Sequence, residues 1–126
     1  MTDDLTMSTQ DRVDAWKRRT DKRFEAIRQM GEKMAKLRVG AVNDEGTIKV
    51  TVDAAGSLAD LKLHESVMDG TAADLAADIL DTLAKARTNL ATGATLVLDH
   101  TVGADSETGR AVLATFHDRF GTEAAS

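Results

Sequence analysis

Apolar positions recur along this chain at two different periods, and the change of period divides it. In residues 47–52, Ile48, Val50 and Val52 occupy every second position, with Lys49 and Thr51 between them. In residues 59–64, Ala59, Leu61 and Leu63 alternate with Asp60, Lys62 and His64. A period of two places alternate side chains on opposite faces of a strand. Ala54, Ala55 and Gly56 lie between the runs, and glycine accepts the positive φ that tight hairpin turns require. The spacing predicts a β-hairpin with one apolar and one polar face. An isolated hairpin is marginal in water, so other elements must cover the apolar face.

On both sides the period lengthens. Ser8 or Thr9 can cap a helix with Asp11 in its first turn, and from there to Leu37 only Gly31 weakens it. Val13, Trp16, Thr20, Arg23, Ile27, Met30, Met34 and Leu37 follow steps of three and four, with Phe24 beside them. The C-terminal half of this stripe is expected to pack on the hairpin and the first half to project. Residues 39–42 read as an edge strand and Asn43, Asp44, Glu45 and Gly46 as a turn, which makes three antiparallel strands. Residues 65–70 read as a loop with Val67 and Met68 tucked under it. The next helix starts at Asp69 or Thr71; Leu75, Ile79, Leu83, Ala86 and Leu90 form its stripe, with Ala72, Ala76 and Leu80 alongside. Beyond Leu90, Thr92 and Gly93 weaken the helix, and residues 95–98 fit either a strand or its continuation. Ser106 and Glu107 open a short final helix whose stripe is Val112, Leu113, Phe116 and Phe120.

The expected fold class is α+β: a long N-terminal helix, a three-stranded antiparallel sheet, a long C-terminal helix and a short extra helix. The expected division is a disordered leader (1–10), a helix–sheet–helix domain (11–92) and a partly helical C-terminal extension (93–126). A length of 126 residues fits one domain. Its apolar content is mostly Ala, Val and Leu, and Trp16, Phe24, Phe116 and Phe120 are its only aromatics. So thin a core suggests an intertwined homodimer. The residues assigned to core or dimer seam are Trp16, Ile27, Met30, Met34, Ile48, Val50, Val52, Leu61, Leu63, Ile79 and Leu83.

Composition narrows the chemistry. The absence of cysteine excludes disulfides and thiolate zinc sites, and the absence of proline suits long helices. The acidic N-terminus does not read as a signal peptide, and no apolar run reaches transmembrane length, so no membrane partner is expected. His64, His100 and His117 lack metal-ligand spacing. No serine lies in a nucleophile elbow, and no phosphate-cradling glycine loop occurs. The expectation is a protein that is not an enzyme and takes no cofactor or metal.

The net charge of −5 is unevenly distributed. Residues 11–38 hold ten basic and five acidic residues, +5; the rest hold six and sixteen, −10. Binding responds to local charge, so Arg12, Lys17, Arg18, Arg19, Lys22, Arg23 and Arg28 become candidate contacts to the backbone of double-stranded DNA. Against this, Asp14–Arg18, Lys17–Asp21, Arg28–Glu32 and Glu32–Lys36 have the spacing of intrahelical ion pairs, and the basic residues look spread around the helix. The density of Lys17, Arg18, Arg19, Lys22 and Arg23 exceeds what those pairs absorb. Trp16 is assigned to the core or seam, not to base stacking. The alternative is a non-catalytic protein-interaction or chaperone-like module, with a protein partner seated on the C-terminal stripe.

Residues 45–69, EGTIKVTVDAAGSLADLKLHESVMD, followed by DILDTLAKAR at 78–87, resemble the YbaB/EbfC family of small bacterial nucleoid-associated proteins. Lys49, Val50, Thr51 and Val52 match its strand, Gly56 its turn, Leu61, Lys62 and Leu63 its apolar–Lys–apolar triplet, and Ser66, Val67 and Met68 the segment that follows. The resemblance covers about residues 25–90. It implies a helix–three-strand–helix fold, a homodimer whose paired helices project like tweezers, and DNA binding of low sequence specificity in the cytoplasm, at the nucleoid. The acidic turn at 43–46 and the long extension after Leu90 depart from the family pattern. The Ala-, Asp- and Thr-rich style also resembles divergent actinobacterial members associated with secretion loci, a paralogue type that implies loss of DNA binding.

Overall fold

A computed structural model describes residues 8–120. In chain order it contains α1 (Thr9–Ala35), β1 (Arg38–Val42), β2 (Ile48–Asp53), β3 (Leu58–Leu63), a 3-10 turn (Glu65–Asp69), α2 (Ala72–Asp99) and α3 (Glu107–Phe120). The strands form one antiparallel sheet in the order β1-β2-β3. The α+β class and its elements are as the sequence predicts. Residues 1–7 of the expected leader lie outside the described residues, and Thr9 and Gln10 already belong to α1. The Ser8 hydroxyl accepts the Asp11 amide at 3.0 Å, so the helix starts at the earlier of the two caps.

Side chains set both turns of the sheet. Asn43 Oδ1 accepts the amides of Thr47 and Ile48, closing the β1–β2 turn at Gly46 (φ 72°). Asp53 Oδ1 accepts the amides of Ala55 and Ser57, and Gly56 takes φ 78° in the β2–β3 turn. Arg87 of α2 donates its Nε to the Gly56 carbonyl at 2.8 Å and ties that turn to the helix. Ile48 pairs with Leu63 and Val50 with Leu61, but the register shifts at Thr51/Val52 and Val52 pairs with Leu58. This bulge reverses the alternation. Leu58, not Ala59, therefore continues the apolar face.

The core lies under α2. Ile48, Val50 and Val52 are fully buried against Ala86, Leu90 and Ala94. Each large aliphatic side chain so buried stabilises the fold by about 1.5–3 kcal/mol. The buried positions of α2 are Thr82, Ala86, Leu90, Ala94 and Leu98, a ridge of four-residue steps. Thr82 is satisfied by donating to the Asp78 carbonyl at 2.7 Å. The ridge carries α2 past Gly93 and through residues 95–98, so that segment continues the helix. A methyl group at Gly93 would come within 2.7 Å of the Val39 side chain. The residue expected to weaken the helix is the one that lets it approach β1.

Two packing expectations change. α1 does not cover the hairpin: only its end, through Met34 and the following Leu37, packs against the core cluster, and no α1 residue is fully buried. α2 takes that face instead, because its small residues fit closer to the sheet than the bulky stripe of α1. The C-terminal stripe is also not free. Phe116 is buried, and Val112, Leu113 and Phe120 pack against the same cluster. Phe120 lies over the β2–β3 turn so closely that a methyl group at Gly56 would collide with its ring.

Candidate nucleic-acid interface

The charged end of the molecule is α1, which runs without interruption for 27 residues. Helical geometry, at 3.6 residues per turn, sorts its side chains into three arcs. Arg12, Arg18, Arg19, Lys22, Arg23, Lys33 and Lys36 fall within roughly 140° of one another. Asp14, Asp21, Glu25 and Glu32 form a narrow acidic edge between Arg18 on one side and Arg28 and Lys17 on the other, while Asp11, in the first turn, falls within the basic arc. Between the two lie Val13, Trp16, Thr20, Phe24, Ile27 and Met34. The basic residues are therefore not spread evenly: five of the seven candidates share a face, and Lys33 and Lys36, counted in the charge excess but not among the candidate contacts, extend it. The period of 3.6 carries that signal once the helix is known to continue through Gly31.

All seven candidate DNA-contact residues are exposed. Among the described residues, Arg12, Lys17, Arg18, Arg19, Lys22 and Arg23 take part in no ion pair. The pairs Asp14–Arg18, Lys17–Asp21 and Glu32–Lys36 do not form. Arg28 differs. It donates to both Glu25 and Glu32 and is clamped between them. The hydrogen bond from Arg28 holds the Glu25 carboxyl below its ordinary range. The same bond, with the charges of Glu25 and Glu32, raises the guanidinium's own value. Its charge is thus spent within the helix.

The apolar arc of α1 is partnered at one end only. Val13, Trp16, Phe24 and Ile27 are 48, 60, 65 and 37% exposed, while Met30 and Met34 are half-buried. Elsewhere the expected core positions divide: Ile48, Val50 and Val52 are buried, Leu61, Ile79 and Leu83 partly so, and Leu63 is exposed, as is Leu58 at the other end of β3. Midway along α1, Lys22, Arg23, Ala26 and Ile27 line a cleft of about 440 Å³ against Thr101, Val102, Ser106, Glu107 and Thr108.

The histidines have local structural roles. His64 Nδ1 accepts the Ser66 amide and caps the 3-10 turn, His100 Nδ1 sits 2.7 Å from the Leu96 carbonyl, and His117 lies in the last turn of α3. Among the described residues no group of acidic, histidine or cysteine side chains has the arrangement of a metal site, and no helix is long and apolar enough to cross a membrane. The arrangement offers many separate cationic contacts along a rod, a geometry suited to a polyanion.

Compared with known proteins, residues 17–102 match the model of the YbaB/EbfC DNA-binding family. The match takes in most of α1, the sheet and all of α2, and stops before α3. No curated protein and no solved structure gives a significant match.

Proposed function

The chain belongs to the YbaB/EbfC DNA-binding family, a non-catalytic family of nucleoid-associated proteins, and from that premise we propose that it is a cytoplasmic homodimer that binds duplex DNA at the nucleoid. In this reading the contacts are to phosphates, made by the basic arcs of two first helices, with little base readout. The single observation that carries it is the arc of Arg12, Arg18, Arg19, Lys22 and Arg23: exposed, gathered on one face of the helix, and without ion-pair partners among the described residues. Lys17, across the helix, adds a contact from the other side, and Arg28 contributes least because Glu25 and Glu32 hold it.

What supports the dimer is apolar surface that one subunit leaves open. Phe24 and Ile27 on α1, Leu58 and Leu63 on β3, and Met68 and Leu80 near the start of α2 are all exposed. That is more than scattered surface apolar residues account for, and a second copy of the chain is the proposed cover. The protein-interaction reading rested on Val112, Leu113, Phe116 and Phe120, and the chain's own core occupies that stripe.

The test is fluorescence anisotropy with two labelled duplexes of unrelated sequence. The wild type is expected to bind both within a few-fold of each other. Replacing Arg18, Arg19, Lys22 and Arg23 together by Glu should weaken both at least about a hundredfold at low salt, with helix content unchanged by circular dichroism. Equal binding by the two proteins would refute the phosphate-contact mechanism.

A further inference from the structure

The one tryptophan of the chain sits in an unusual setting for a seam residue. Trp16 lies on the third turn of α1 and is 60% exposed. Arg12 stands one turn before it, Arg19 one turn after and Arg23 two turns after, on the same side of the helix. Trp16, Arg19, Thr20 and Arg23 line a shallow concavity of about 130 Å³. Among the described residues no acidic side chain pairs with these arginines.

An indole this exposed normally finds cover. A second subunit laid over it would also desolvate Arg23 and the edges of Arg12 and Arg19, which is costly without opposing carboxylates. Phe24 and Val13 lie further round the helix from the arginines and can be covered without that cost. What suits Trp16 and its neighbours together is a surface with fixed negative charge on two rails and flat apolar faces between them. A nucleic-acid duplex has that form.

We propose that Trp16 is a wedge. As Arg12, Arg19 and Arg23 seat on phosphates, the indole enters the groove between them, stacks against a partly opened base step and kinks the duplex. Flexible pyrimidine–purine steps are the favoured sites, since they cost least to open. The inference rests on the DNA-binding reading and adds to it a bend and a mild preference for deformable sequence.

Because Trp16 is the only tryptophan, the wild-type protein reports on it directly. Free protein should show solvent-exposed, red-shifted emission that acrylamide quenches. Saturation with an unlabelled duplex should quench that emission and shield it from acrylamide. Energy transfer between dyes on the two ends of a duplex should show those ends drawing together. Trp16→Ala should abolish the bend and weaken binding on the order of tenfold, with an unchanged salt slope, and Trp16→Phe should restore part of both. Two results overturn the wedge while leaving phosphate binding intact. One is emission and acrylamide access that do not change on a duplex already bound by anisotropy. The other is blue-shifted, protected emission in free protein, which would put Trp16 in the subunit seam. If the wild type fails to bind duplex at all, the DNA reading falls and the wedge with it.

Discussion

α1 and α2 are nearly the same length, 27 and 28 residues, and both are amphipathic, yet α2 buries five residues and α1 none. The difference lies in what each stripe is made of. α2 presents Thr82, Ala86, Leu90, Ala94 and Leu98 in a straight four-residue ridge, with Gly93 beside it, and lies close on the sheet. α1 presents Trp16 and Phe24 in a stripe interrupted by Thr20 and Arg23, which is too broad and too charged for the same seat. One sheet face accepts one helix. The other helix leaves most of its apolar and basic arcs exposed. Periodicity thus identifies the apolar face of a helix, while side-chain size and the nearest charges decide what covers it.

Substitutions on the two helices should therefore read out differently. Leu90→Ala removes a fully buried side chain from the centre of the core and should cost about 2–5 kcal/mol of stability in a urea melt. A loss under about 1 kcal/mol would mean that α2 is not the main cover of the sheet. Gly109→Ala, a packed site on α3, comes next. A methyl group there would lie 2.1 Å from the Gly103 carbonyl oxygen, backbone that cannot move aside cheaply, and about 1–3 kcal/mol should be lost. The same change at Gly31 of α1 meets nothing within 4 Å and should stabilise by up to about 1 kcal/mol, because alanine favours a helix more than glycine does. Thermal unfolding of the two glycine variants side by side checks the contrast, and shifts of the same sign would erase it.

The smallest effect concerns the clamp on Arg28. Glu25 titrates below its ordinary range because Arg28 bonds its ionised form. By linkage that interaction is fully present above the ordinary carboxylate pKa and is lost as pH falls through the lowered value. Being exposed, the pair should leave the urea midpoint almost unchanged. Its effect should appear in binding. Glu25→Gln frees one side of the guanidinium and should tighten duplex binding two- to three-fold at neutral pH, measured by anisotropy, whereas Glu45→Gln, remote on the β1–β2 turn, should change it less.

Local signals were the legible ones. The period of two, the turn residues Asn43, Gly46 and Gly56, and the Ser8 cap place the strands and the start of α1 from sequence alone, because each is decided within a few residues. What the sequence left open is decided by distant contacts. Gly93 gains its meaning from Val39, which is remote along the chain. The exchange of Ala59 for Leu58 comes from a bulge that the residue pattern does not announce. The C-terminal stripe reads as a free surface until Phe116 is seen in the core. At the candidate interface, the seven basic candidates were legible as a charge excess. The gathering of five of them on one face needs the helical geometry, and the loss of Arg28 to Glu25 and Glu32 needs the side-chain positions.

The most direct test of the central account is the slope of log affinity against log salt concentration for one duplex. If the basic arc of α1 neutralises phosphates, the slope should be steeply negative, near −0.9 for each contact. Replacing Arg19 and Lys22 by Gln should flatten it by roughly two units per subunit that contacts the duplex. A slope that the two substitutions leave unchanged would contradict the account, because the salt-sensitive contacts would then lie elsewhere on the molecule.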